Sequence, residues 1–488
     1  MKKTTLFILS LILLVLSGLG CASPAVPEAE MTHYEIVASY DKESRTVTAS
    51  QTVEFVNGYD LPVSTLAFRL YGNAYNTTGA VSPSVRDEAY YKGDSTGAIT
   101  LGTFTMDGKV LPHTLSDSGH SVTVSLPKEV FPMEKVKVTF DFSLTLAEVN
   151  ARLGVTEHTV NLTHWHPELC VLEDGEWVTD DFTAIGDPFL AESAVYKVTL
   201  TTPSEYKVVS GARMTAEREG AGMVTREFSV KGAREVSFIM SSEFKTVSTL
   251  AGSTLVTYAY IGDKNPEATM RTAQRAISLF SDEFGTYPFP TYTVVETPLI
   301  YSGMELTAMA MVDAKLEDKT HAVIHETAHQ WWSQIAGNNP ITHAFIDEGL
   351  AEWSTALYYR AHGETDKERE MRGSHEKRYV LFMDVMGSVT GEPSSVMAKA
   401  LSDFVSEYEY EVIAYSKGYL MLDSLSALIG RRSLVDGLRR YYTDARYKIF
   451  DLSALIASVE NGSGKRCEGI FRAWVDGRVT YYLLGNLE

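Results

Sequence analysis

Two histidines stand four positions apart in His325-Glu326-Thr327-Ala328-His329, inside a stretch that reads as helix. Residues i and i+4 of a helix share a face, with Cβ atoms about 5–6 Å apart. Two imidazoles so placed can reach one ion at about 2.0–2.1 Å, the distance zinc takes to histidine nitrogen. Glu326 follows the first histidine and stands beside such an ion without binding it, where it can take a proton from an activated water. A match of this kind alone arises by chance in about a few chains per hundred of this length. Its surroundings count against chance. Asp347-Glu348-Gly349 opens a second helical stretch, and Glu348 lies nineteen positions after His329. A hairpin of two helices would bring that carboxylate to the ion as third ligand. Two imidazoles and one carboxylate leave one position open, the form of a catalytic zinc site. His321, one turn before His325, is poorly placed as a ligand and reads as structural, as does His343. The longer pattern with a third histidine is absent, because Trp332 stands where its glycine would be. Glu352, one turn after Glu348, has two readings: acceptor for the free ring proton of a ligand histidine, or a solvated helix glutamate.

The segments around these residues divide the chain. Its 488 residues exceed what one hydrophobic core serves, and an apolar content of 44% is enough to fill more than one. Residues 32–242 are a succession of short segments such as HYEIVASY, RTVTASQTVEFVN and KVKVTFDFSLTL. They alternate apolar and polar side chains and are rich in Val, Thr, Phe and Tyr, which predicts an all-β sandwich. Residues 243–488 begin mixed and become helical, with EATMRTAQRAISLFSDEF, then a strand in PFPTYTVVET, then helices from about Glu317. Asn161, His164, Trp165 and His166 are candidates for a loop of the β-domain near the site.

Residues 1–21 carry Lys2 and Lys3, an apolar run from Leu6 to about Leu16, and small residues up to Cys21. This is the order of an export signal, and the run is shorter than the ~20 residues that span a bilayer. Cys21 after Gly20 resembles a bacterial lipobox, although Leu19 stands one residue late and Gly18 holds the usual leucine position. The expectation is an extracytoplasmic lipoprotein held at a membrane surface by a lipid on Cys21. Plain cleavage near Ala22 and an uncut short anchor are the alternatives. Residues 22–31, with two prolines and no apolar period, read as a tether. A formal net charge of −20 argues against nucleic acid as a partner. Cys170 and Cys467 are too few to form a disulfide framework, and whether they pair is left open, as is the oligomeric state.

Four motifs in order resemble the aminopeptidase N and leukotriene hydrolase family of gluzincins: SGMEL at 302–306, HETAHQWW at 325–332, IDEGLAEW at 346–353 and AYSKGYLML at 414–422. With the strand-rich first half, the resemblance covers nearly all of the chain after the signal. It implies a multidomain α+β architecture, a saddle-like N-terminal β-sandwich followed by a thermolysin-like, mostly helical catalytic domain. It also implies one zinc ion on His325, His329 and Glu348, with Glu326 as general base. Glu305 matches the glutamate that binds the free α-amine of a peptide. Gly303 and Met304 match the loop along the substrate backbone. Tyr415 matches the tyrosine that donates to the oxyanion, a contribution of several kcal/mol. Tyr408, Tyr410 and Tyr419 lie nearby without the Ser416-Lys417-Gly418 context.

Two departures stand out. Leu306 replaces the family's usual asparagine, which puts substrate grip in doubt. The chain also stops at Glu488, without the C-terminal helical domain of many members, which implies a more open cleft or cover from a partner subunit. The expected activity is removal of N-terminal residues from peptides. The alternatives are a zinc endopeptidase on the same site and a non-catalytic surface lipoprotein that binds through its β-domain. Side-chain preference is not legible, since it depends on pocket shape.

Overall fold

A computed structural model describes residues 28–391 and 394–479. The export signal with Cys21, and most of the expected tether, lie outside the described residues. The tether's last part differs from expectation. Glu28–Glu30 form a 3-10 turn, Met31 is buried, and Glu28 pairs with Lys231 at 2.5 Å. Among the described residues no helix is long and apolar enough to cross a membrane.

The first half is β-structure because its alternation gives each strand one apolar face. In His33–Asp41 the buried side chains are Tyr34, Ile36, Ala38 and Tyr40, while Val37 between them is exposed. This strand lies in a nine-stranded sheet, antiparallel to Thr46–Val56 on one side and parallel to Ala194–Pro203 on the other. Two four-stranded sheets pack with it, one containing Val63–Arg69 and Ser121–Val130, the other Val160–Leu162 and Phe238–Ser241. One continuous apolar core runs from these sheets into the second half.

The second half opens with a five-stranded sheet in the order Lys245–Ala251, Thr254–Tyr260, Thr291–Thr297, Met309–Asp313, Gly303–Leu306. Gly303–Leu306 is its antiparallel edge. Five helices matter here: α1 (Pro266–Glu283), α2 (Thr320–Ala328), α3 (Phe345–Ala361), α4 (Thr365–Thr390) and α5 (Gly418–Ile429). Helix α2 packs between the sheet edge and α3, so both halves of the expected metal set face each other. A π-helical turn, Glu411–Lys417, leads into α5 and packs on α3 and α4. The α3–α5 crossing is close enough that a Cβ on Gly349 would stand 2.9 Å from Gly418 backbone. Only glycine at both positions lets the two backbones meet, and this sets the turn carrying Tyr415 beside Glu348.

The two halves are joined by buried polar contacts. Arg234 donates from Nε to the Ser333 carbonyl at 2.6 Å, from Nη1 to Ala191 at 2.7 Å and from Nη2 to Lys448 at 2.9 Å. Thr159 and Thr297 share a hydroxyl contact of 2.6 Å. Cys170 and Cys467 are both buried free thiols.

Candidate metal centre and cleft

His325 lies in the last turn of α2 and His329 at its C-terminal cap, so the helix delivers both imidazoles before it ends. Their Nε2 atoms are 3.1 Å apart, and each is 3.3 Å from Glu348 Oε2 on α3. Ligands at about 2.0–2.1 Å from a tetrahedral zinc stand about 3.3–3.4 Å from one another, so these three atoms fit that ion. Glu348 Oε2 is buried without a hydrogen-bond partner among the described residues. An orphaned carboxylate oxygen between two imidazoles is the mark of a cation site. Both rings are held from behind. His329 Nδ1 meets the Trp332 carbonyl at 3.0 Å, and His325 Nδ1 lies 3.0 Å from Glu352 Oε1. With a metal bound, the Trp332 carbonyl would accept the proton on His329 Nδ1 and leave Nε2 for the ion, while the Glu352 carboxylate approaches His325 Nδ1 without hydrogen-bond geometry. Glu352 is buried rather than solvated.

Glu326 points across the cluster toward the sheet edge, with Oε2 also buried and unpartnered. A Cβ on Gly303 would stand 2.4 Å from Glu326 Oε1, so residue 303 has no room for a side chain. Carboxylate oxygens of Glu305 and Glu326 and a ring nitrogen of His329 lie within 4.8 Å of one another. Gly303–Leu306 is a strand rather than a loop, and its alternation sends Gly303 and Glu305 toward the site. Met304 and Leu306 go the other way, into an apolar cluster with Phe244, Leu299 and Met311. Met304 therefore offers a substrate only its main chain. Leu306 turns away from the cleft, so its replacement of asparagine does not remove a side chain from the cleft wall.

Tyr415 donates its hydroxyl to Glu348 Oε1 at 2.6 Å, and its ring stacks 5.8 Å from that of His325. Burial, and then the neighbouring Glu348, push this phenol well above the usual tyrosine range, so it remains a donor. Tyr410 is buried beside it in the cleft wall, Tyr408 is exposed and Tyr419 lies in the core.

Burial pushes Glu326 up to about 7, against the pull of His325 and His329. It pushes Glu305 well above the carboxylate range. Burial works against a charged His329, yet Glu305 and Glu348 raise it to about 10. Burial likewise opposes the charge of Glu348, but the two histidines hold it down at about 2. The cluster thus favours positive charge at its centre.

The cleft over this cluster holds about 450 Å³ and is walled by residues of both halves. The first half contributes Val85, Arg152, Ala184, Gly186 and Asp187, not the residues expected from sequence. Arg152 pairs with Asp187 and stands 5.0 Å from the Phe189 ring and 5.2 Å from that of Tyr301. Asn161, His164, Trp165 and His166 are buried in the β-domain: Trp165 Nε1 donates to the Val236 carbonyl at 2.9 Å, and His164 contacts Glu168 at 3.1 Å. His343 sits away from the cluster against Thr342, and His321 lies 3.6 Å from Glu352 Oε1 at the rim. Nothing in the local sequence marked Arg152 or Asp187, since each stands in an irregular segment with no period.

Comparison with known proteins follows the same lines. Residues 268–474 match the peptidase family M1 domain. Aminopeptidase M1-A of Oryza sativa subsp. japonica is 23% identical over 301 residues, which cover 58% of this chain and 34% of that protein. Probable aminopeptidase 2 of Sulfurisphaera tokodaii is 22% identical over 319 residues, covering 61% of this chain and 40% of that protein. The chain therefore spans about a third to two fifths of the length of these relatives. The crystal structure of the M1 zinc metallopeptidase from Deinococcus radiodurans superposes with a TM-score of 0.65 at 17% identity, covering 94% of this chain and 96% of that one. A mutant of that enzyme bound to a Tyr-Ser-Ala substrate superposes with a TM-score of 0.64. Residues 268–474 thus match the peptidase family M1 domain, in a chain whose fold is similar to that of a two-domain M1 zinc metallopeptidase.

Proposed function

We propose that this chain is a zinc-dependent aminopeptidase that removes N-terminal residues from peptides. One observation carries the reading: three ligand atoms of His325, His329 and Glu348 lie within 3.3 Å of one another, with Glu326 and Glu305 beside them. The zinc ion, when bound, supplies a Lewis acid that activates water and polarises the scissile carbonyl. Glu326, with no hydrogen-bond partner at Oε2 among the described residues, takes the proton of the attacking water and passes it to the leaving amine. Tyr415 turns its hydroxyl from Glu348 to the carbonyl oxygen as negative charge grows there. Glu305 pairs with the α-ammonium, which fixes the first peptide bond over the cluster and makes the cleavage exopeptidic. Gly303 gives Glu326 the space it occupies.

The chain is exported and held at a membrane surface through a lipid on Cys21, a proposal that rests on the order of residues 1–21. Peptide libraries with free and acetylated N-termini, digested with and without a chelator, test the activity. Stepwise loss of N-terminal residues from free peptides alone, abolished by chelation and by Glu326→Gln with zinc retained, is expected. Equal cleavage of acetylated peptides would make the enzyme an endopeptidase instead.

A further inference from the structure

Helix α4 places His375 in the protein interior with both ring nitrogens bonded. Nε2 meets Glu352 Oε2 at 3.0 Å, Nδ1 meets Ser416 Oγ at 3.1 Å, and the ring stacks on Tyr419 at 4.6 Å. A carboxylate only accepts, so Nε2 carries the proton, donating to Glu352, and Nδ1 accepts from the Ser416 hydroxyl. Each partner is one step from the proposed reaction. Glu352 Oε1 lies 3.0 Å from Nδ1 of the metal ligand His325. Ser416 directly follows Tyr415 within the π-helical turn Glu411–Lys417. Such turns hold a backbone register that an α-helix does not, and they are common at functional sites.

The contacts close a circuit. Glu348 and Glu352 are one turn apart on α3. Glu348 holds the Tyr415 hydroxyl, and Glu352 reaches the Tyr415 backbone through His375 and Ser416. A histidine serving only to fill the core would be satisfied by any two polar neighbours. This one joins the support of a metal ligand to the support of the oxyanion donor. We propose that His375 is a positioning residue that fixes His325 and Tyr415 relative to each other. The proposal rests on the aminopeptidase reading for its kinetic arm, while its metal-binding arm stands apart from activity.

Two conservative variants separate the arms. His375→Gln puts an amide near the Nε2 position and keeps the bond to Glu352 while losing that to Ser416. His375→Asn does the reverse. Zinc release to a chromogenic chelator, the absorption spectrum of the Co(II)-substituted protein, and kcat and KM on an aminoacyl amide are measured for both. His375→Asn is expected to release zinc about 10- to 100-fold faster and to shift the Co(II) bands. His375→Gln is expected to hold zinc as the native chain does and to lose about tenfold in kcat at unchanged KM. Ser416→Ala should reproduce that kcat loss, and neither it nor His375→Gln should lower kcat further in a Tyr415→Phe background. Native zinc release in His375→Asn together with native kcat in His375→Gln and Ser416→Ala would overturn the proposal. So would equal kcat losses with and without the Tyr415 hydroxyl. A native chain without chelator-sensitive peptide cleavage would defeat the aminopeptidase reading, and zinc release from His375→Asn would then decide the metal-binding arm.

Discussion

Gly303→Ala tests whether the position of Glu326 governs catalysis. The added methyl would stand 2.4 Å from Glu326 Oε1, 2.7 Å from Cγ and 2.8 Å from Cδ. Ordinary contact needs about 3.4 Å, so the carboxylate must retreat by roughly 1 Å, because Gly303 is fixed in the sheet edge by pairing with Val312. A displacement of about 1 Å in a reacting group can cost about 100-fold in rate, which is about 2.7 kcal/mol of transition-state stabilisation. Zinc binding should be unchanged, because none of the three ligands is touched. The assay is kcat/KM on an aminoacyl amide beside zinc content and thermal midpoint. Gly373→Ala is the control: position 373 lies on the exposed face of helix α4 with nothing within 4 Å of a Cβ. It should leave kcat unaltered and stabilise by about 0.5–1 kcal/mol. Native kcat/KM in a folded, zinc-loaded Gly303→Ala protein would refute the assignment of Glu326 as the group that handles the proton.

Metal binding should release protons. With His329 raised to about 10 and His325 well above its ordinary range, both rings are charged at pH 7, and ligation requires them neutral. Calorimetric titration of zinc into the chelator-stripped protein should show heats that vary with buffer ionisation enthalpy; buffer-independent heats would contradict it. Burial pushes Lys417 down to about 7, where its Nζ donates to the Ser395 and Trp474 carbonyls. The unfolded chain keeps that proton up to about pH 10.4. The contribution of Lys417 is therefore absent below pH 7 and grows as pH rises toward 10, on the order of a few kcal/mol. Urea midpoints at pH 7 and 9 should rise less in Lys417→Met than in the native chain, and parallel shifts would count against a neutral buried lysine.

The metal cluster was legible because its logic is local. The spacing of His325 and His329 is a helical period, and Glu348 announces itself at the start of the next helix. The β-domain was legible for the same reason, through strands such as His33–Asp41 whose alternation is unbroken. Residues whose place depends on topology were not. Arg152 and Asp187 reach the cleft from irregular segments of the first half, and only the packing of two domains makes them neighbours. Asn161, His164, Trp165 and His166 misled because side chains capable of chemistry also serve as hydrogen-bonding core. Glu352 was placed on the right helix face by spacing, but its other partner, His375, lies on α4 at no fixed sequence distance. Met304 shows the finer limit: the motif located the strand, while its pleat decided which side chains face the cleft.

Arg234 bears on how the molecule comes apart. Its guanidinium is buried, with the Glu192 carboxylate near enough to act on its charge, and it bonds to main-chain carbonyls, two of which, on Ser333 and Lys448, belong to the second half. A Cβ on Gly337 would stand 2.1 Å from Nη2, so the peptidase half is shaped around this one side chain. Drawing the halves apart would break its bonds to Ser333 and Lys448 and leave the space beside Gly337 unfilled. Neither fragment is then a free-standing module. The two halves are therefore expected to melt together, which calorimetry would show as a single transition.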